Sequence, residues 1–96
     1  MLRVEDVDFR YKKEAVKFFR KHEDVLEAFK VDVVKIINRD HPEQVNFKSL
    51  QGMLKGYSRI AIGSYRVIYK IINGEVVVVN VLYAGSRGDI YKKFRG

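Results

Sequence analysis

The sequence predicts an α+β fold, one domain over residues 1–96, with a helical hairpin packed on one face of a small, largely antiparallel β-sheet. Three observations predict it. Apolar residues between Asp8 and Asn38 recur at helical spacing in two stretches, and those between Tyr57 and Leu82 alternate as strand residues do. The dipeptides Gly63-Ser64 and Asn73-Gly74 divide that second region with residues that accept the positive φ of two-residue hairpin loops. Ninety-six residues leave room for a core between two packed layers and none for a second domain. The expected element order is β-α-α-β-β-β, followed by a C-terminal tail or short helix.

Leu2 and Val4 alternate with Arg3 and Glu5, which predicts a short edge strand over 2–6. Asp8 is the expected N-cap of a first helix, whose apolar face carries Phe9, Val16 and Phe19 with Ala15 beside them. A second helix is predicted from Asp24, where Asp24 and Glu27 stand at capping-box spacing. Val25, Leu26, Phe29, Val33, Ile36 and Ile37 give it a wide apolar stripe. Pro42 ends it, because the residue before a proline is pushed out of the helical region, and Asn38 to His41 form the exit. Residues 42–56, with Gly52 and Gly56, read as a connecting loop with room for one helical turn.

If both hairpin loops hold two residues, Ile62 faces Tyr65, Ala61 faces Arg66, Ile72 faces Glu75 and Lys70 faces Val77. Directly paired residues share a face. One face then collects Arg59, Ala61, Arg66, Ile68 and Lys70 with Val77, Val79 and Val81. The other collects Val67, Ile71, Val76, Val78 and Leu82, and this is the face expected to meet the helices. The apolar positions left on the first face call for a cover, which the tail or a partner would supply.

Composition limits the chemistry. Nineteen Lys and Arg against twelve Asp and Glu give a net charge of +7, which favours polyanionic partners. There is no Cys, so a disulfide framework and a thiolate metal site are both excluded. His22 and His41 stand nineteen positions apart, with no zinc-binding helix motif, no phosphate-cradling glycine loop and no nucleophile elbow in the chain. Neither a metal nor a cofactor is expected. No long apolar run marks a secretory signal or a membrane span, so a soluble, cytoplasmic protein with no membrane partner is expected.

What remains is a cluster of Arg, Lys and Tyr. Cleaving RNA without a metal needs a base for the 2′-hydroxyl, cationic donors for the pentacoordinate phosphorane and an acid for the departing 5′-oxygen. Arginine suits the second task because its planar fork bonds phosphate oxygens in pairs. Tyrosine serves as acid or base when nearby cations lower its pKa, and Tyr91 stands close in sequence to Arg87 and Lys92.

At the segments LKGYSRIAIGSYRVIYKI and SRGDIYK the chain resembles the RelE/ParE toxin superfamily, the toxin halves of toxin–antitoxin pairs. The order of the upstream strand and helices agrees, so the resemblance covers nearly the whole chain. It implies a compact α+β fold with a curved antiparallel sheet. In RelE-like members it implies a ribosome-dependent mRNA endoribonuclease that cleaves in the A site and inhibits translation. Arg66 matches the sheet arginine that stabilises phosphate, and Arg87 and Tyr91 match the C-terminal arginine region and tyrosine. These three are the expected catalytic residues, with Lys55, Arg59, Lys70 and Lys92 holding RNA. Ala61, on the same face as Arg59, stands where a second cation is often found. The resemblance implies a cognate antitoxin as partner, beside the ribosome carrying A-site mRNA. The ParE-like branch implies an alternative, a non-enzymatic inhibitor of DNA gyrase, and an inactivated toxin fold that only binds is a third.

Overall fold

The computed structural model describes residues 1–94. Five strands and three helices follow one another as β1 (Val7–Tyr11), α1 (Lys13–Lys21), α2 (Glu23–Asn38), β2 (Phe47–Ser49), β3 (Ser58–Ile62), β4 (Tyr65–Ile72), β5 (Val77–Ser86) and α3 (Arg87–Lys93). The sheet order is β1-β5-β4-β3-β2, antiparallel throughout except for the parallel pair β1 and β5. Both long helices lie on one face of this sheet. The fold is therefore the α+β layer expected, with one strand more than expected.

The core lies between the helical hairpin and one sheet face. Ala15 and Phe19 of α1 and Val25, Phe29 and Val33 of α2 are buried against Ile60, Val67, Tyr69, Val79 and Val81. Each such side chain contributes roughly 1.5–3 kcal/mol before chain entropy is set against it. Phe29 is the centre of this layer: its ring meets Tyr69 edge-on at 5.6 Å and Phe9 at 6.2 Å.

The N-terminal boundaries differ from the expectation. Residues 4–6 form a single 3-10 turn, the strand runs over 7–11, and the first helix begins at Lys13 with Lys12 as its N-cap. Asp8 is thus a strand residue, and Phe9 reaches the core from a strand. The cause is a long-range clamp. The Asn38 side chain donates to the Leu2 carbonyl at 2.7 Å and accepts from the Leu2 amide at 3.0 Å, satisfying backbone groups that a strand at 2–6 would have paired with the sheet.

The second helix begins without the Asp24 capping box. His22 ends α1 and starts α2, its carbonyl accepting from the amides of Val25 and Leu26 at 3.1 Å, so Asp24 falls inside the first turn, where its charge still favours the helix dipole. The exit is as expected: α2 stops at Asn38, Arg39 takes a left-handed conformation with φ 55°, and Pro42 opens a 3-10 turn. The predicted loop 42–56 contains the short edge strand β2, paired with β3 through Phe47 with Ile60, Lys48 with Arg59 and Ser49 with Ser58.

The hairpin register divides at the two turns. Gly63 adopts φ 59° at the first loop position, as a II′ turn requires, and Ile62 pairs with Tyr65 and Ala61 with Arg66 as predicted. Neither Asn73 nor Gly74 takes a positive φ, so no primed two-residue turn forms there. Instead Ile72 pairs with Val78 across five intervening residues, Ile71 with Val79 and Lys70 with Asn80. The register moves by three, and an odd shift exchanges the faces of a strand. Val79 and Val81 therefore belong to the core and are fully buried, whereas Val76 is exposed and Val78 only half-buried. A bulge opposite Ile68 and Tyr69 then leaves Leu82 without a partner, and Ile68 pairs with Tyr83 and Arg66 with Gly85.

Candidate nucleic-acid groove

The sheet face turned away from the helices is built in rows. Lys48, Arg59, Ile68 and Tyr83 stand side by side across β2, β3, β4 and β5, and Ala61, Arg66 and Gly85 form the next row. α3 packs beside these rows on β4 and β5. Ser86 caps it, its hydroxyl accepting from the Asp89 amide at 3.2 Å. The Arg87 amide also donates to the Ser64 carbonyl at 3.1 Å, tying the start of the helix to the β3–β4 turn.

Between α3 and the rows lies a groove of about 450 Å³. Leu50, Leu54, Ile68, Ile90 and Phe94 supply its apolar surface, and Lys48, Arg59, Arg66, Arg87 and Lys92 supply five cations. Ile68 is fully buried although it points away from the helical core, so the cover it needs comes from this groove's own walls. Among the described residues, none that lines it is acidic. Among the described residues, no carboxylate lies within ion-pair distance of Lys48, Arg59, Arg87 or Lys92, while the ion pairs that do form use Arg3, Arg10, Lys30, His41 and Lys93. Lys48, Arg59, Arg87 and Lys92 therefore present positive charge with no carboxylate beside it above an apolar floor, a surface that attracts phosphate and accepts the flat face of a base.

Two of the arginines are held in place by neutral acceptors. Arg66 donates from one terminal nitrogen to the carbonyls of Gly63 and Tyr65, both at 2.9 Å, which fixes its guanidinium beside the β3–β4 turn. Arg59 donates to Asn46 Oδ1 at 3.0 Å. A neutral acceptor positions the Arg59 guanidinium without cancelling its charge. Tyr83 is held by Phe94, edge-on at 5.4 Å, and by the Lys93 ammonium 5.6 Å above its ring. Its pKa is raised, first by burial and then by the carboxylates of Asp89 and Glu14, so it stays protonated and is unsuited to act as a base. The ring also explains Gly85: a Cβ there would meet the Tyr83 hydroxyl at 2.8 Å and the ring carbons at 3.0 and 3.1 Å.

Of the residues expected from the sequence, Arg59, Arg66, Arg87 and Lys92 come together in the groove. Tyr91 belongs to α3, four residues after Arg87, and its side chain lies outside the described residues. Lys55 follows the turn Gly52–Leu54 and does not line the groove. Lys70 sits one row further along the sheet, its ammonium 5.6 Å over the Tyr57 ring. Lys48 and the apolar floor are additions that sequence reasoning missed. Lys48 belongs to a strand of only three residues, all exposed, too short to show an alternation. Among the described residues no cluster of three or more His, Asp or Glu is placed to hold a metal, and no helix is long and apolar enough to cross a membrane.

The two-layer α+β fold is similar to that of solved toxins and toxin–antitoxin complexes. YafQ from E. coli strain BL21(DE3) superposes with a TM-score of 0.61 at 21% identity, covering 88% of this chain and 97% of that one. The toxin–antitoxin complex DinJ-YafQ from E. coli gives 0.62 at 21% identity over 90% and 98% of the two chains. The RelB-RelE antitoxin-toxin complex from Methanococcus jannaschii gives 0.58 at 23% identity over 88% and 98%. No protein-family model matches the chain, and no curated protein matches it. The likeness establishes the fold, that of the RelE-like toxins.

Proposed function

We propose that this chain is the toxin of a toxin–antitoxin pair and acts as a ribosome-dependent mRNA endoribonuclease. One observation carries the reading: Arg59, Arg66, Arg87, Lys48 and Lys92 converge on a single groove that has no acidic lining. The solved structures of like fold include toxins bound to their antitoxins, which supports a cognate antitoxin as partner.

In this reading the 2′-hydroxyl of a bound nucleotide attacks the adjacent phosphate, and the 5′-oxygen of the next nucleotide leaves. Arg66 and Arg87 stabilise the charge that develops on the phosphorane oxygens, and Arg66, held by the Gly63 and Tyr65 carbonyls, offers that stabilisation without reorganisation. Lys48, Arg59 and Lys92 hold the flanking phosphates. Tyr91 is assigned to proton transfer or to stacking, since no His, Asp or Glu lines the groove and Tyr83 is held protonated. Substituting Arg66→Ala or Arg87→Ala is expected to slow cleavage of A-site mRNA on purified ribosomes by at least ~100-fold, roughly 3 kcal/mol of lost transition-state stabilisation. Unchanged cleavage in both variants would remove the site.

One observation favours a second reading. Ala61 pairs directly with Arg66, so the row that carries the sheet arginine has no other cation on β3. A chain that keeps the fold and the anion groove but binds without cleaving, including a gyrase inhibitor of the ParE type, would look like this. Inhibited supercoiling with intact ribosome-bound mRNA would select it.

A further inference from the structure

Beyond the groove, the same sheet face carries a second depression, of about 360 Å³. Arg10, Lys12, Tyr57, Asn80 and Leu82 line it, and none of its lining residues is acidic. It continues the rows of the first groove. Lys70 pairs with Asn80, and Asn80 pairs with Arg10 across the parallel ladder, so one line of polar and cationic side chains crosses β4, β5 and β1. Along β4, Lys70 stands about 13 Å from Arg66, four residues at strand spacing and on the same face. The bulge that leaves Leu82 unpaired brings this residue to the depression, where it adds an apolar wall.

Tyr57 is the feature that gives the depression a chemical character. Its ring is half-buried, and the ammonium of the exposed Lys70 stands 5.6 Å over it. A cation–π contact at an exposed site is weak, whereas a base stacked on an aromatic ring is worth more. A phosphate near Lys70 would draw the ammonium off the ring and free the ring for a base. Lys12 provides a second exposed cation within the depression, whereas Arg10 is already paired with Asp8 at 2.9 Å. The result is an aromatic platform flanked by mobile ammonium groups, the arrangement that tracks single-stranded nucleic acid without reading its sequence.

We infer that this depression is an accessory subsite for single-stranded RNA that extends beyond the cleavage groove, with Tyr57 stacking a base and Lys70 and Lys12 binding the phosphates beside it. The inference rests on the reading of the first groove as an RNA site, and the test separates the two. Binding of fluorescent single-stranded RNA would be measured by anisotropy for a trinucleotide and a nonanucleotide, with circular dichroism confirming that each variant is folded. The nonanucleotide is expected to bind the unmodified chain more tightly. Tyr57→Ala and Lys70→Ala should each weaken nonanucleotide binding about tenfold and leave the trinucleotide unchanged, while Tyr57→Phe keeps full affinity because the ring face is kept. Arg87→Ala should weaken both lengths. Variants that leave the nonanucleotide unaffected, or that weaken both lengths equally, would overturn the subsite while the first groove stands. Duplex RNA bound as tightly as the single strand would overturn the stacking role, and no binding of the nonanucleotide by the unmodified chain would overturn the subsite, whereas the first groove is tested separately by cleavage on purified ribosomes.

Discussion

The two faces of one sheet differ in what they ask of their residues. On the helical face, Val67, Tyr69, Val79 and Val81 are buried by contact with α1 and α2, and any aliphatic or aromatic side chain of the right volume serves. On the other face Ile68 is buried, and the neighbouring positions carry Lys48, Arg59, Arg66 and Lys70. The first face holds the protein together, and the second gathers positive charge. A fold can sustain that second face because the first is complete: repulsion between exposed cations is small against the burial of a full core layer.

The comparison can be broken most forcefully at Phe29. Phe29→Ala should destabilise the domain by roughly 3–5 kcal/mol through the cavity it leaves, measured as a fall in the denaturant midpoint. Arg66→Ala and Arg87→Ala should do the reverse, losing roughly 3 kcal/mol of catalytic stabilisation while the same midpoint stays nearly unchanged. A large loss of stability in either arginine variant would show that the two faces are not separable. Gly85→Ala tests the seam between them. The new methyl must displace the Tyr83 ring, on which Phe94 rests, so about 1–3 kcal/mol of stability and part of the cleavage rate should fall together.

The smallest effect expected is a dependence on alkaline pH, to which the core face contributes through Tyr69. Burial raises the Tyr69 pKa to about 12 from an ordinary value of 10.0, so the folded state keeps a proton that the unfolded chain releases. The stabilising contribution is complete below pH 10 and is lost as the pH rises toward 12, because the unfolded chain then binds fewer protons than the folded one. The melting temperature should decline across that window, and Tyr69→Phe should make the decline shallower. Tyr11, raised to about 12 by burial and by the Glu27 carboxylate, should add to the residual slope.

The same two faces show how far the sequence could be read. The turn at Gly63-Ser64 signals its geometry through a glycine that needs positive φ, and so the placement of Arg59, Ala61 and Arg66 on one face was legible. At Asn73-Gly74 the residues permit a tight turn without requiring one, and the chain uses a wider connection. That choice moved Val79 and Val81 into the core, and nothing local to β5 announces it. The N-terminal strand was displaced by hydrogen bonds from Asn38, thirty-six residues away, which no window of sequence contains. Arg59, Arg66 and Ile68 were legible on one face from the register and Arg87 and Lys92 through the resemblance, but Lys48 and the other apolar walls were not. They meet only because β2 pairs with β3 and α3 folds back over Ile68.

The parallel pairing of β1 with β5 has a kinetic meaning. It joins Val7 to Val77, so 77 − 7 = 70 residues must be looped before the first contact of that ladder forms. Closing such a loop from a flexible chain is opposed by about 4 kcal/mol of entropy, while the β3–β4 hairpin closes across two residues. The meander that carries Arg59 and Arg66 therefore forms early and locally. The strand that seals the far side of the core, and brings Arg10 beside Asn80, arrives last.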